Sequence, residues 1–257
     1  MTRPQNQTLI RHFINTLLLY HTGQAQFYMF QDGDDIVKQA ISAPYLTQRI
    51  SRPNTAMIRM DSLSGTLYRL DSSRTTILAE PAELDGESSV ALVEVRAAGG
   101  ITDFQVDGWN GRIYWIDSST NQIHFKSLGG TTSASVLYRG LRSPNKMALA
   151  LDTRQVFWSG GDQIFQGALD EKLYVTLPEK LTATPTSMEY DPVSQRLFLV
   201  LPVEGGTGSK VIAVDVANKE QSEIFLHPHT ITDFVPLTRN TFMFSDKEVS
   251  ICVPHVW

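Results

Sequence analysis

Gln105-Val106-Asp107-Gly108-Trp109-Asn110-Gly111-Arg112-Ile113-Tyr114-Trp115-Ile116-Asp117-Ser118-Ser119 reads as a β-hairpin. Asn110-Gly111 offers the two positive-φ residues of a tight type I′ turn, with apolar β-formers on either side. From Arg112 to Asp117, aromatic and β-branched residues follow one another without a polar gap. Apolar side chains therefore leave both faces of that strand, and the strand must be covered on both.

The same text recurs along the chain. An apolar or aromatic triplet after a polar turn is found at Leu18-Leu19-Tyr20, Leu67-Tyr68-Arg69, Ile113-Tyr114-Trp115, Val156-Phe157-Trp158, Leu197-Phe198-Leu199 and Phe242-Met243-Phe244, with third residues 49, 46, 43, 41 and 45 positions apart. A period in the forties with several short strands per unit is the sequence mark of a propeller blade. An Asp stands eight residues before the third anchor residue at Asp61, Asp107 and Asp191, and six before it at Asp152. Just ahead of a hairpin turn, these acids fit local turn hydrogen bonding better than a ring of ligands.

The expected architecture is all-β: one six-bladed propeller of four-stranded antiparallel blades at roughly 9–41, 56–96, 101–139, 146–177, 186–226 and 231–253. Leu9 to Ile14 and Ala25 to Gln31 read as strands of the first unit, Ser42 to Asn54 as a connector, and Glu80 to Glu87 as an acidic surface loop. The sixth unit is one strand short. Closure then calls for the polar Thr2 to Thr8 segment beside Glu248 to Val253, or leaves a three-stranded blade. Trp115 and Trp158 are expected between blades.

At 257 residues and 42% apolar content the chain can bury a large core as one domain. A net charge of −5, from 22 basic and 27 acidic residues without a basic stripe, argues against nucleic acid as a partner. No membrane span and no secretion signal are legible. The lone Cys252 excludes an intrachain disulfide framework and a cysteine-cluster metal site, and reads as a small core residue.

These repeats resemble the six-bladed YWTD propellers of the low-density-lipoprotein-receptor relatives and of the sevenless/ROS receptor tyrosine kinases. Tyr114-Trp115-Ile116-Asp117 matches three of the four motif letters, and Tyr68-Arg69-Leu70-Asp71 keeps the first and last. Met243-Phe244-Ser245-Asp246 keeps the acid, Phe157-Trp158-Ser159-Gly160 keeps aromatics without it, and the first and fifth copies keep little. The resemblance implies that Asp71, Asp117 and Asp246 tie neighbouring blades together by hydrogen bonds. It also implies a receptor fragment, outside the cell and flanked by other domains. The poverty of cysteine points to the sevenless/ROS branch rather than the EGF-linked one. Asn6-Gln7-Thr8 is the one N-glycosylation sequon, which a secreted chain would have to expose.

No catalytic or cofactor motif stands out. Gly205-Gly206-Thr207-Gly208-Ser209-Lys210 has Ser before Lys and no helix after it, so it reads as a hairpin loop rather than a phosphate-binding loop. His227-Pro228-His229 lacks the further ligands a metal site needs. No nucleophile elbow is present. The expectation is a protein-binding module without cofactor or metal, contacting its partner through loops such as Ser42 to Pro53, Arg139 to Asn145 and Leu226 to His229. Tyr45, Arg142, His227 and His229 are the candidate contacts there, with Trp109, a large aromatic placed in a turn, as a further one. The alternative is a metal-dependent six-bladed hydrolase of the gluconolactonase type. Against it, the innermost strands read as mainly apolar, with single acids at their ends.

Overall fold

The computed structural model describes residues 14–22, 25–40, 46–83, 88–97, 99–129, 132–178, 180–238, 241–246 and 250–254. They form a β-propeller of five four-stranded antiparallel blades and a three-stranded sixth sheet, with no helix among the described residues.

Blade 1 is β1 (Ile14–Thr22), β2 (Ala25–Asp32), β3 (Asp35–Ala40) and β4 (Thr47–Ser51). Blade 2 is β5 (Thr55–Asp61), β6 (Thr66–Asp71), β7 (Thr76–Pro81) and β8 (Val90–Glu94). Blade 3 is β9 (Ile101–Asp107), β10 (Arg112–Asp117), β11 (Gln122–Ser127) and β12 (Ser135–Tyr138). Blade 4 is β13 (Pro144–Ala150), β14 (Gln155–Gly160), β15 (Gln163–Ala168) and β16 (Tyr174–Thr176). Blade 5 is β17 (Ser187–Asp191), β18 (Arg196–Pro202), β19 (Ser209–Asp215) and β20 (Gln221–His227). The sixth sheet is β21 (Ile231–Thr238), β22 (Thr241–Asp246) and β23 (Ser250–Pro254). Within each blade the strands pair in sequence order. The first strands β1, β5, β9, β13, β17 and β21 neighbour one another in that order, and β21 meets β1 to close the ring.

The unbroken apolar run of β10 explains the packing. Ile113 and Trp115 face blade 2, in a cluster with Tyr68, Leu70 and Ile77. Tyr114 and Ile116 face blade 4, with Val156 and Trp158. One strand thus supplies two inter-blade cores, and β14 repeats the device by sending Phe157 toward Leu197 and Leu199 of blade 5. Trp115 and Trp158 lie between blades, as the repeat anticipates. Each such fully buried side chain contributes about 1.5 to 3 kcal/mol of hydrophobic stabilisation.

Four readings are corrected. The first blade is displaced: Thr47–Ser51, expected as connector, pairs with β3 as its outermost strand. Leu18-Leu19-Tyr20 consequently sits on the inner strand, and the true counterpart of the other anchors is Met29-Phe30-Gln31-Asp32 on β2, opposite β1. A hydrophobic run without a marked turn before it cannot by itself say which strand of a repeat it is. Secondly, the 107–112 hairpin has four residues in its loop, because Asp107 pairs with Arg112. Only Gly111 there has positive φ, at 57°. The Asp107 carboxylate accepts hydrogen bonds from Asn110 N and Nδ2 and fixes this longer turn in place of a type I′ one. Thirdly, Glu80 is a buried residue of β7, ion-paired with Arg52 at 2.8 Å and Arg69 at 3.4 Å. Finally, the inner strands carry several charged residues into the channel, as set out below. Thr2 to Thr8, Asn6 and Tyr45, and with them the side chain of Cys252, lie outside what the structure describes.

Candidate functional site

Contacts between blades sort the loops onto two faces. A Cβ on Gly108, in the turn after β9, would stand 2.1 Å from Asp61 Oδ1, at the end of β5. Arg154, in the turn after β13, donates to Asp107 Oδ2 at 2.8 Å, and Tyr190, near the end of β17, donates to Asp152 at 3.1 Å. The first hairpins of blades 2 to 5 therefore crowd one rim of the channel. Leu63, Trp109 and Val193 occupy the same place in three of these hairpins, two residues beyond Asp61, Asp107 and Asp191, and are 56, 79 and 79% exposed.

The three acids brace those turns from beneath. Asp61 accepts from Leu63 N and Ser64 Oγ, and Asp191 accepts from Val193 N, Ser194 N and Ser194 Oγ. The turn role anticipated for Asp61, Asp107 and Asp191 is thus what their bonds describe, and Asp107 adds a tie to blade 4 through Arg154; Asp152 differs, since Ala150 holds the strand-end position in its hairpin and Asp152, inside the turn, accepts from Tyr190 of blade 5 instead. Sequence reading found Trp109 but missed Leu63 and Val193. Their spacing from the repeated Asp was the available signal.

The opposite rim carries the connections between blades, including Arg142, His227 and His229. Arg142 is exposed, and His229 is half-buried. His227 is engaged: its Nε2 lies 2.6 Å from Asp246 Oδ2, and its ring packs 4.9 Å from that of Phe244. This contact joins blade 5 to the sixth sheet, so Asp246 makes the inter-blade tie that the YWTD resemblance implies. Asp71 and Asp117 do otherwise. Asp71 accepts from Thr75 N, Thr76 N and Ser73 Oγ, and Asp117 from Ser119 N and Oγ, all within their own turns. These bonds hold the Asp71 carboxyl below its usual range, against the opposing effect of burial. Asp32 and Asp103 stand outside the expected set. Asp32, at the motif position of blade 1, pairs with Arg49 at 2.6 Å. Asp103 Oδ2 accepts from Met147 N of the next blade at 2.9 Å. The identical tetrapeptides Ile101-Thr102-Asp103-Phe104 and Ile231-Thr232-Asp233-Phe234 were the sequence trace of this position.

Around the channel axis the inner strands present Arg59, Asp103, Lys146, Glu189 and Asp233. A cavity of about 410 Å³ is lined by Arg59, Arg74, Asp103, Lys146, Ser187 and Asp233, among others. Arg59 Nη2 lies 3.4 Å from Asp103 Oδ1 and 3.7 Å from Glu189 Oε1. Burial, with Asp233 and Asp103 adding to it and Arg59 opposing, pushes the Glu189 carboxyl up to about 8. Among the described residues no three His, Cys, Asp or Glu side chains are placed to share a metal ion. The guanidinium of Arg59 already fills the space between Asp103 and Glu189 where a cation would sit.

No family model matches the chain, and no curated protein matches it. Solved structures do. A chain of a nidogen/laminin complex superposes with a TM-score of 0.67 at 16% identity, over 86% of this chain and 81% of that one. A gluconolactonase from Xanthomonas campestris superposes with a TM-score of 0.71 at 14% identity, over 95% of this chain and 86% of that one. At such identities the likeness is one of fold, and it spans a binding protein and an enzyme alike. No helix among the described residues is long and apolar enough to cross a membrane.

Proposed function

We propose that this propeller is a protein-interaction module without catalytic activity, and that it meets its partner through the face that carries the first hairpins of the blades. The observation behind this reading is the repeated exposure of Leu63, Trp109 and Val193 at one turn position around the channel. Large apolar side chains on rigid, acid-braced turns lose little conformational freedom on binding, and grouped apolar exposure marks interaction surfaces. The hairpin that carries Trp109 adds charge to the same face: Arg112 and Arg154 both pair with Asp170, and Arg154 also reaches Asp107 at the base of the Trp109 turn.

The YWTD-like text of blade 3 and the likeness to a chain from a nidogen/laminin complex support a place among extracellular binding propellers. The scarcity of cysteine inclines the reading toward a receptor of the sevenless/ROS kind, with further domains beside the propeller. Hydrolysis on a metal, the alternative that the gluconolactonase likeness raises, is disfavoured by Arg59 standing among the channel acids.

A photo-reactive amino acid substituted for Trp109 tests the reading on cells and matrix extracts. A discrete cross-linked protein is expected, and it should vanish when Leu63→Asp and Val193→Asp are added. Labelling that is diffuse, or indifferent to those two changes, refutes this face as the binding surface.

A further inference from the structure

We propose that the cavity at the channel mouth, on the face opposite Trp109, is a binding site for a small anion bearing a carboxylate or phosphate group. It is independent of the protein-contact reading, since no residue is shared.

The cations lining the cavity are not matched by free acids. Lys146 has no carboxylate within ion-pair distance among the described residues. Arg74 spends one nitrogen, Nη1, on the backbone oxygens of Ile101 and Thr102, at 3.5 and 3.2 Å, and meets no acid. Those two bonds anchor the guanidinium and leave its other nitrogens as donors. Arg74 stands in the turn between β6 and β7 with φ 57°, as several other turn residues of the chain do. Arg59 keeps its buried Nε without a hydrogen-bond partner.

The acids, by contrast, are occupied. Asp103 is bonded to Met147 N, to Phe104 N and to Arg59. Glu189 lies outside the cavity lining and faces Arg59; burial shifts its carboxyl toward the neutral form, against the pull of Arg59 and Lys146. Counting Arg59, Arg74 and Lys146 against Asp103 and Asp233, the cavity then holds a surplus of one positive charge. Ser72 and Ser187 add wall hydroxyls that make no other hydrogen bond among the described residues. A volume of about 410 Å³ suits a small molecule. Cationic donors that line a cavity and keep nitrogens without an acceptor form strong, charge-assisted hydrogen bonds once an anion enters.

Titration calorimetry and thermal melting of the whole chain, with inorganic phosphate, acetate and glycerol at ionic strength fixed by chloride, provide the test. Saturable binding of phosphate or acetate with Kd on the order of 1 mM or tighter is expected, and none for glycerol. Phosphate alone binding, or acetate alone, identifies which head group the site takes. Lys146→Gln and Arg74→Gln should each weaken binding by about 10-fold, while the remote Lys180→Gln leaves it unchanged. Affinity should also fall as pH rises through 8, where Glu189 gains charge among Arg59, Arg74, Lys146, Asp103 and Asp233. If one variant fails to fold, the other carries the comparison. Absence of saturable binding to the folded parent, or affinity equal in parent and both variants, overturns the proposal.

Discussion

Gly108→Ala is expected to loosen the contact between blades 2 and 3, because Gly108 packs directly on the Asp61 carboxylate. The added Cβ would lie 2.1 Å from Asp61 Oδ1 and 2.6 Å from Asp61 Cγ, so the carboxylate must move. That carboxylate is buried and holds Leu63 N at 2.9 Å and Ser64 Oγ at 2.6 Å. Hydrogen bonds to a charged acceptor are worth about 1.5 to 3 kcal/mol each. Partial loss of two of them, less about 0.4 to 1 kcal/mol gained from restricting the unfolded chain, leaves a net cost of about 1.5 to 4 kcal/mol. Gly108 is absent from the positive-φ set, so backbone strain adds nothing to the cost. Urea unfolding of Gly108→Ala, Asp61→Ala and the double variant separates the terms. With no carboxylate to displace, Gly108→Ala should be close to neutral in the Asp61→Ala background. An equal cost in both backgrounds would refute the clash as its origin.

Trp158→Ala should destabilise by about 3 to 5 kcal/mol, because Trp158 is fully buried against Tyr138, Phe165 and Tyr174; Trp109→Ala should leave the melting temperature unchanged, and equal shifts for the two would invert the packing assignment. Gln195 holds φ 53° at the turn position that Gly65 and Gly111 occupy in blades 2 and 3, so Gln195→Gly is expected to stabilise by up to about 1 kcal/mol in chemical denaturation, and a loss would show the side chain to be needed. Glu189→Gln addresses the channel. A carboxyl raised from 4.5 to about 8 contributes stability that is complete below pH 4.5 and is lost as pH rises toward 8. The variant, always neutral, should therefore gain on the parent between pH 5 and 9 by on the order of 1 to 3 kcal/mol, whereas a pH-independent difference between the two would show that Glu189 is not buried as a neutral acid.

The fold was legible because a propeller repeats its text. The turn-strand pattern from Asp107 to Asp117 recurs well enough to place blades 2 to 5, since each central strand must be apolar on both faces and the first hairpins of blades 2, 3 and 5 carry a bracing acid. Blade 1 was misplaced where that pattern fades: nothing local distinguishes the run of β1 from that of β2, and only pairing with β4 fixes the count. The surfaces were harder to read. Trp109 announces itself as an aromatic in a turn, whereas Leu63 and Val193 matter only when the hairpins of three blades are seen on one rim. The channel charges were invisible for a similar reason. Arg59, Lys146 and Glu189 are each an ordinary polar residue in an alternating strand, and their meeting depends on the closure of the ring.

Because each central strand gives one row of side chains to the blade before it and the next row to the blade after, the packing has no first or last member. The Ile113-Trp115 row belongs to one junction and the Tyr114-Ile116 row to the next, and Phe30 and Val37 of blade 1 meet Val235 and Met243 of the sixth sheet across the junction that completes the circle. Protection from hydrogen exchange should then run at similar strength around the central strands, with no gradient from one end of the chain to the other. By the same geometry, cutting the 257-residue chain within an exposed loop such as 203–208 and joining residue 257 to residue 1 by a linker should yield a circular permutant with the same six junctions.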